Sequence, residues 1–196
     1  MKNIAVLVSG GGTNLQSIID AVESGKINGR IKLVISNKKD AYGLKRAEKH
    51  NIRSKFDNDE DSIIESLMSE EIDLVVLAGF LKILSSNFTK TFENKIINIH
   101  PSLIPAFCGV GYYGLNVHKA AVDYGVKISG ATVHFVDENA DTGPIIAQEV
   151  VEVLPDDTAE TLQNRVLEVE HSILPMVVEK YCDDKIEVKG RRVYIK

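Results

Sequence analysis

Cysteine is scarce in this chain of 196 residues, and its potential metal ligands are not clustered. The two cysteines, Cys108 and Cys182, lie far apart and lack metal-ligand spacing, so we expect both to be reduced thiols. The five histidines form no His-x-x-x-His or Cys/His cluster. The sequence therefore gives little support for a metal site.

Long apolar runs and an excess of positive charge are also absent. No apolar run is long enough to span a bilayer, and Lys2 precedes a predicted strand rather than the apolar segment of a signal peptide. We therefore expect no membrane partner and a cytoplasmic location. The formal net charge of −5 argues against a general nucleic-acid binder, although it leaves room for a local pocket that holds one phosphate.

The rest of the composition is ordinary for a globular protein, with 44% hydrophobic and 26% charged residues. The chain is long enough to bury a substantial core, and it contains no linker, internal repeat or low-complexity segment. We therefore expect a single domain over residues 1–196.

Apolar runs and helical patterns alternate along the first half of the chain. The predicted strands are Ile4–Val8, Ile31–Ser36, Ile52–Phe56, Asp73–Phe80 and Lys95–Ile99. The predicted helices are Leu15–Val22, Ala41–His50, Asp61–Ser69 and Ser86–Glu93. This alternation predicts an α/β fold with a Rossmann-like, open, twisted and mostly parallel sheet.

The regular alternation of strands and helices ends after His100, which indicates an antiparallel C-terminal part. Pro101–Gly114 is predicted to be a loop, followed by a helix, two strands that form a hairpin pair, a long helix and a closing hairpin. Their bounds are Asn116–Tyr124, Ser129–Val136, Ile145–Val153, Thr158–Tyr181 and Ile186–Ile195. Asp156-Asp157-Thr158 supplies a candidate N-cap and an acidic first turn, and Pro175 is expected to interrupt the long helix.

Two polar side chains stand at the end of a buried strand, in the segment Asn98-Ile99-His100-Pro101-Ser102. Side chains two residues apart on a strand share a face, so Asn98 and His100 are expected to point the same way. Ligands of open α/β sheets bind at this end of the strands. An amide donor beside an imidazole suits attack on a carbonyl group, and Asp141 is the best candidate to orient the imidazole.

A glycine-rich segment, Gly10–Asn14, separates the first predicted strand from the first helix. Glycine lets backbone N–H groups approach an anion, and the helix N-terminus adds partial positive charge. The segment is neither a P-loop nor a Gly-x-Gly-x-x-Gly fingerprint, which disfavours dinucleotide binding. We expect a small phosphorylated substrate here; a tight turn packed under the sheet is the structural alternative.

Four ordered motifs resemble those of the phosphoribosylglycinamide formyltransferases, a folate-dependent family of purine synthesis. The motifs are Val8–Gln16, Leu77–Leu84, Ile97–Pro105 and Val133–Pro144. The resemblance implies direct transfer of a formyl group from the cosubstrate 10-formyltetrahydrofolate to the amine of glycinamide ribonucleotide, without a metal. The implied acceptor rests on the glycine-rich segment and on the lack of the extra domains of methionyl-tRNA formyltransferases and formyltetrahydrofolate hydrolases.

The resemblance also implies the role of each site residue. Asn98 and protonated His100 would stabilise the oxyanion, while Asp141 would hold the imidazole and favour its charged form. The residues implied for the phosphoribosyl end and the amine of the acceptor are Gly12, Thr13, Asn14 and Glu170. The residues implied for the folate are Leu81, Lys82, Ile83, Leu84, Asn98, Asp137, Glu138, Asn139, Ala140 and Asp141.

Some assignments stay open at this point. Lys82 stands where many relatives carry Arg, and Phe56–Ser62 lacks an Arg that some relatives place near the folate. Glu170 is alternatively a solvated helix carboxylate, and His118 and His134 have either a direct role or a structural one.

The partners expected are small molecules, with no nucleic acid, and the protein is expected to be a monomer or a homodimer. The alternative functions are hydrolysis of 10-formyltetrahydrofolate, transfer to another amine and non-catalytic binding of a phosphorylated metabolite.

Overall fold

The computed structural model describes residues 1–196, in which helices and strands alternate before an antiparallel C-terminal part. The strands are β1 (Lys2–Val8), β2 (Gly29–Ser36), β3 (Ser54–Phe56), β4 (Leu74–Leu77), β5 (Ile96–His100), β6 (Ile128–Phe135), β7 (Ile145–Glu152), β8 (Ile186–Lys189) and β9 (Arg192–Ile195). The helices are α1 (Thr13–Glu23), α2 (Tyr42–Lys49), α3 (Glu60–Ser69), α4 (Ser86–Thr91), α5 (Leu115–Tyr124) and α6 (Ala159–Cys182). Every predicted element is present, with ends shifted by a few residues.

The central sheet has seven strands in the order β3-β2-β1-β4-β5-β6-β7. The first five strands in this order, β3 to β5, pair in parallel with one another, whereas β6 is antiparallel to both β5 and β7. The closing hairpin, β8 and β9, forms a separate two-stranded sheet. These findings confirm the predicted α/β class and the antiparallel C-terminal part.

Burial on both faces explains the unbroken apolar run of β1. Ile4, Val6 and Val8 belong to a core that α1 and α6 cover, while Ala5 and Leu7 belong to a second core that α3 and α4 cover. Alternate residues of a strand point to opposite faces, so a strand with a core on each side must be apolar throughout. None of the helices has the length and apolar composition that crossing a membrane requires.

Helix α6 runs from Ala159 to Cys182 without a break, so the predicted interruption near Pro175 is wrong. Proline removes one backbone hydrogen bond of a helix. Here the apolar side chains around it, Leu174, Val177 and Val178, are fully buried. Their packing holds the helix together across Pro175. The N-cap predicted within Asp156-Asp157-Thr158 is Thr158, whose side chain accepts a hydrogen bond from the N–H of Thr161.

Strand β4 is shorter than its apolar run predicts. It ends at Leu77, and Gly79 takes a φ of 75°, in the left-handed region that suits glycine. The N–H of Ser9 donates to the carbonyl of Gly79 at 3.0 Å, so the chain after β4 turns beside the end of β1. The turn places Leu81–Leu84 at the carboxyl edge of the sheet.

Candidate active site

Strands β5 and β6 bring three polar side chains together at the carboxyl edge of β5. Asn98 lies directly opposite His134 in the antiparallel ladder, and His100 lies opposite Thr132. Side chains of directly opposed residues share a face of the sheet. The Nδ2 atom of Asn98 is accordingly 3.1 Å from Nε2 of His134.

Asp141, in the turn between β6 and β7, completes the cluster. Its Oδ2 lies 3.5 Å from Nδ1 of His100, and its Oδ1 lies 3.5 Å from Nε2 of His134. The Oδ2 atom also accepts a hydrogen bond of 2.9 Å from the N–H of Gly109. The structure therefore places Asn98, His100 and Asp141 in one cluster, as expected, and adds His134. We call these four residues the polar cluster.

The tautomer of His134 determines how Asn98 is oriented. His134 Nδ1 is 2.7 Å from the carbonyl oxygen of Phe135, which can only accept, so Nδ1 carries the proton. In the neutral ring, Nε2 is then an acceptor, and it receives a hydrogen bond from the Asn98 amide. The sequence pattern leaves His134 ambiguous; the register between β5 and β6 is the signal that identifies it.

His100 is buried, and burial decides its charge. Loss of solvation is the largest influence and lowers the pKa of His100, although the Asp141 carboxylate and the Phe107 carbonyl oppose that effect. Nε2 of His100 lies 2.9 Å from the carbonyl oxygen of Phe107. Asp141 favours the charged form of His100, as expected, but burial outweighs it, so the pKa of His100 is lowered.

Asp141 is the ionised member of the cluster. Burial alone would raise the pKa of its carboxyl group, but His134 (when its Nε2 is protonated), His100 and the Gly109 N–H outweigh burial and lower it. At neutral pH an ionised carboxylate thus faces the neutral ring of His100. The pair can take up one proton and hold it as an imidazolium–carboxylate ion pair.

His118 does not extend this proton-carrying pair. It is a buried residue of α5, and its Nδ1 atom is buried without a hydrogen-bond partner. Burial, with a smaller effect of His100, lowers the pKa of His118 to about 4. The His118 ring is therefore neutral at neutral pH and carries no proton for the His100–Asp141 pair, which favours a structural role for His118.

The glycine-rich segment forms an open helix N-terminus next to this edge. Gly12 has a φ of 69°, and α1 begins at Thr13 without a side-chain cap. A Cβ atom on Gly12 would lie 2.8 Å from the Cα of Gly43, so α2 packs closely against the turn. Arg46 of α2 donates to the carbonyl of Gly11 at 2.8 Å. The first N–H groups of α1 stay available for an anion.

Glu170 is buried beside this helix N-terminus, which argues against the alternative that it is a solvated carboxylate on the helix surface. Nδ2 of Asn14 donates to its Oε2 at 2.7 Å, and Oδ1 of Asn14 is buried without a partner. Burial raises the pKa of Glu170 to about 7, although the hydrogen bond from Asn14 opposes the shift. The titratable carboxyl group of Glu170, from α6, and the unpaired acceptor Oδ1 of Asn14, from α1, thus lie side by side.

Ser9 connects the glycine-rich segment to the loop after β4. Its hydroxyl donates to Oδ1 of Asn37 at 2.6 Å and accepts from the N–H of Leu81 at 2.8 Å. Both loops are therefore held in register at the carboxyl edge. The sequence carries no signal for this link, because a serine that follows a strand is common in turns.

The residues expected to bind folate occupy different environments. Leu81 and Ile83 are exposed, with 52% and 63% of their surface accessible. Leu84 is instead buried in the second core with Phe88. Lys82 Nζ donates to the carbonyl of Asn58 at 3.0 Å, so its cation is directed towards the chain after β3.

The turn Asp137–Asp141 is organised by its first residue. Oδ1 of Asp137 accepts from the N–H of Asn139 at 3.1 Å and from the hydroxyl of Thr142 at 2.6 Å. Glu138 and Asn139 are exposed, and Ala140 is half-buried. The backbone of this turn thus lies at the surface next to the polar cluster.

Comparison with known proteins places this geometry in a family. Residues 2–178 match the model of the formyl transferase family. The phosphoribosylglycinamide formyltransferase of Haemophilus influenzae is 45% identical, over 100% of this chain and 94% of that protein. The phosphoribosylglycinamide formyltransferase of Escherichia coli is 40% identical, over 98% of this chain and 93% of that protein.

A solved structure shows the same architecture. The crystal structure of glycinamide ribonucleotide transformylase 1 from Symbiobacterium toebii matches with a TM-score of 0.94 and 41% identity, over 100% of this chain and 94% of that chain. The chain therefore belongs to the formyl transferase family, a family of one-carbon transfer enzymes. Its branch is that of the phosphoribosylglycinamide formyltransferases, which confirms the resemblance drawn from the four motifs.

Proposed function

We propose that this chain transfers the formyl group of 10-formyltetrahydrofolate to the amine of 5-phosphoribosylglycinamide, giving formylglycinamide ribonucleotide and tetrahydrofolate in purine synthesis. One observation carries the proposal: the polar cluster lies at the same sheet edge as a helix N-terminus open to a phosphate. Relatives at 45% and 40% identity are named for this transfer rather than for hydrolysis.

The acceptor binds through the N-terminus of α1. Backbone N–H groups of Gly12, Thr13 and Asn14 hold the phosphate, because the helix dipole and the uncapped donors favour an anion. Glu170 receives the glycinamide amine or a ribose hydroxyl, and the free Oδ1 of Asn14 accepts a second hydrogen bond from the same group.

The folate binds between the two neighbouring loops. Backbone groups of Leu81–Leu84 and Asp137–Asp141 form hydrogen bonds with its ring, while the exposed side chains of Leu81 and Ile83 cover a face. Lys82 keeps the positive charge near the site, although a lysine does not offer the planar double contact of an arginine.

The chemical step is an attack of the neutral amine on the formyl carbon. A C–N bond forms, and the carbonyl electron pair moves onto oxygen. Asn98 donates its second N–H to this oxyanion, a contribution of about 3 kcal/mol for a well-placed donor. The added amine then loses a proton to His100, and Asp141 stabilises the imidazolium. The oxyanion collapses, the bond to folate N10 breaks, and the proton passes to that nitrogen, directly or through water.

Product formation from 10-formyltetrahydrofolate, with and without the acceptor, tests this function. We expect turnover only when 5-phosphoribosylglycinamide is present, with formylglycinamide ribonucleotide and tetrahydrofolate formed in equal amounts. The matched control is the same acceptor without its phosphate, which should require a much higher concentration.

Three results would contradict the proposed function. Folate release without the acceptor would identify a hydrolase, and equal use of unrelated amines would identify another acceptor. Absence of turnover under all conditions would leave a binding protein.

A further inference from the structure

The loop between β5 and α5, residues Pro101–Gly114, contacts both members of the His100–Asp141 pair through its backbone. The carbonyl oxygen of Phe107 lies 2.9 Å from Nε2 of His100. The N–H of Gly109 donates to Oδ2 of Asp141 at 2.9 Å. A single short segment of this loop thus contacts both the side chain that takes the proton, His100, and the one that stabilises its charged form, Asp141.

Phe107 holds this segment in an unusual conformation. Its φ is 48°, in the left-handed region that bulky residues rarely adopt. Its ring packs against the larger core and meets the rings of Tyr112 and Tyr124 edge-on, with centroids 6.3 Å and 6.0 Å apart. A non-glycine residue keeps such a backbone only where its surroundings determine it. The packing of the Phe107 ring therefore sets the direction of its carbonyl group.

This carbonyl group determines which nitrogen of His100 changes its protonation. A carbonyl oxygen can only accept, so Nε2 of His100 keeps its hydrogen in both the neutral and the charged ring. Nδ1 is then the nitrogen that gains and loses a proton, and it faces Oδ2 of Asp141 at 3.5 Å. The opposite tautomer would direct two lone pairs at each other, one from Nε2 and one from the carbonyl oxygen.

We infer that Phe107 is a positioning residue: its ring packing aims its carbonyl group at His100 and so reserves Nδ1, beside Asp141, for the proton of the transfer reaction. The catalytic part of this inference rests on the proposed function, whereas the tautomer does not. Phe107 lies outside the four sequence motifs. Its side chain packs against other aromatic rings, and only its backbone reaches the site.

The first test measures the tautomer directly by ¹⁵N NMR of the imidazole nitrogens of His100 in the intact protein. We expect Nε2 to show the shift of a protonated nitrogen at all pH values, and Nδ1 to titrate. In Phe107→Ala, where the ring is lost, we expect both neutral tautomers to be populated. Tyr194→Ala, which removes another partly exposed aromatic side chain on β9, should keep the wild-type pattern.

The second test measures kinetics in the same variants. Phe107→Ala should lower kcat on the order of 10- to 100-fold, because small displacements of catalytic groups cost rates of that size, while KM for both substrates changes less than about threefold. Tyr124→Ala, which removes only one ring contact from an exposed position, should fold normally and lower kcat by about two- to tenfold.

Two outcomes would overturn the inference. One is a wild-type His100 that carries its hydrogen on Nδ1 in the neutral state. The other is a Phe107→Ala protein, or a Tyr124→Ala protein if the former does not fold, with the tautomer and kcat of the wild type. If the wild type shows the expected tautomer but does not use the acceptor, the proposed function fails while the positioning by Phe107 stands.

Discussion

At the scale of residues, the polar cluster is a set of hydrogen bonds whose direction is fixed by carbonyl groups. Phe135 and Phe107 each present a carbonyl oxygen to one histidine nitrogen, which sets the tautomers of His134 and His100. The tautomer of His134 sets the orientation of the Asn98 amide, and the tautomer of His100 makes Nδ1 its proton-accepting nitrogen. The chemistry of the site therefore depends on backbone geometry as much as on the side chains.

The amide of Asn98 is the direct test of oxyanion stabilisation. Asn98→Ala removes the donor, so kcat should fall about 10²- to 10³-fold while KM for both substrates changes little. Asn87→Ala, on the exposed surface of α4, is the control and should behave as wild type. Steady-state kinetics measure both, and a kcat of Asn98→Ala within threefold of wild type would rule out the donor role.

His134 should act through Asn98 rather than on the substrate. His134→Phe keeps the bulk of the ring but cannot accept the amide hydrogen, so we expect a loss in kcat on the order of tenfold. The double variant with Asn98→Ala should be no slower than Asn98→Ala alone, since the two residues act as one unit. Independent, multiplying losses in the double-mutant cycle would mean that His134 contributes by another route.

The sequence predicts these residues unevenly. Asn98, His100 and Asp141 follow from polar residues at a strand end and in a turn, and the structure brings them together as expected. His134 lies inside an apolar strand, where only the pairing with β5 shows that it meets Asn98. The burial of Leu84 could not be predicted, because apolar patterning does not reveal that β4 stops at Leu77 and that the chain turns at Gly79.

At the scale of elements, the acceptor site depends on how closely α1 and α2 approach. Gly12 is required for two reasons, its left-handed backbone and its contact with Gly43. Gly12→Ala should lower the free energy of unfolding by about 1–3 kcal/mol and raise KM for the acceptor at least tenfold.

Gly10, two residues before Gly12, offers a matched control for Gly12→Ala. A Cβ atom on Gly10 would meet nothing within 4 Å, so Gly10→Ala should change the free energy of unfolding by no more than about 0.5 kcal/mol. Denaturant titration and acceptor kinetics measure both variants. Equal behaviour of the two proteins would show that the turn does not shape the phosphate site.

The contact between α1 and α6 should make stability depend on pH. Glu170 has a pKa raised to about 7 in the folded protein, against 4.5 for an ordinary glutamate. Between these values the unfolded chain loses its proton while the folded protein keeps it, so the stabilisation present below pH 4.5 is lost as the pH rises towards 7. Over the whole range the loss amounts to about 3 kcal/mol.

Replacement of Glu170 by glutamine should remove this pH dependence. The free energy of unfolding of wild type, relative to Glu170→Gln, should fall by about 2–3 kcal/mol between pH 5 and pH 8 in urea titrations. Glu168→Gln, at an exposed position of the same helix, should leave the wild-type profile unchanged. A wild-type profile parallel to that of Glu170→Gln would show that Glu170 titrates normally.

At the scale of the whole molecule, strand order explains why both substrates meet. The chain runs outward from β1 to β3 and then returns to β4 on the other side of β1. Ligands of such sheets bind where the strand order reverses. The loops after β1 and β4 therefore flank one crevice, joined by Ser9, and the loop after β5 adds His100. Periodicity predicts the type of each element, but the order of the strands depends on long-range packing that local patterns do not encode.

The most direct test of the account is single-turnover formyl transfer by Asp141→Asn. Asparagine tolerates the φ of 57° at this position, so the change removes the charge but not the fold of the turn. With both substrates at saturation, the rate of transfer should fall about 10²- to 10⁴-fold while both dissociation constants stay within threefold of wild type. Asp123→Asn, an exposed residue of α5, is the control. Transfer by Asp141→Asn at the wild-type rate would contradict the assignment of the polar cluster as the catalytic site.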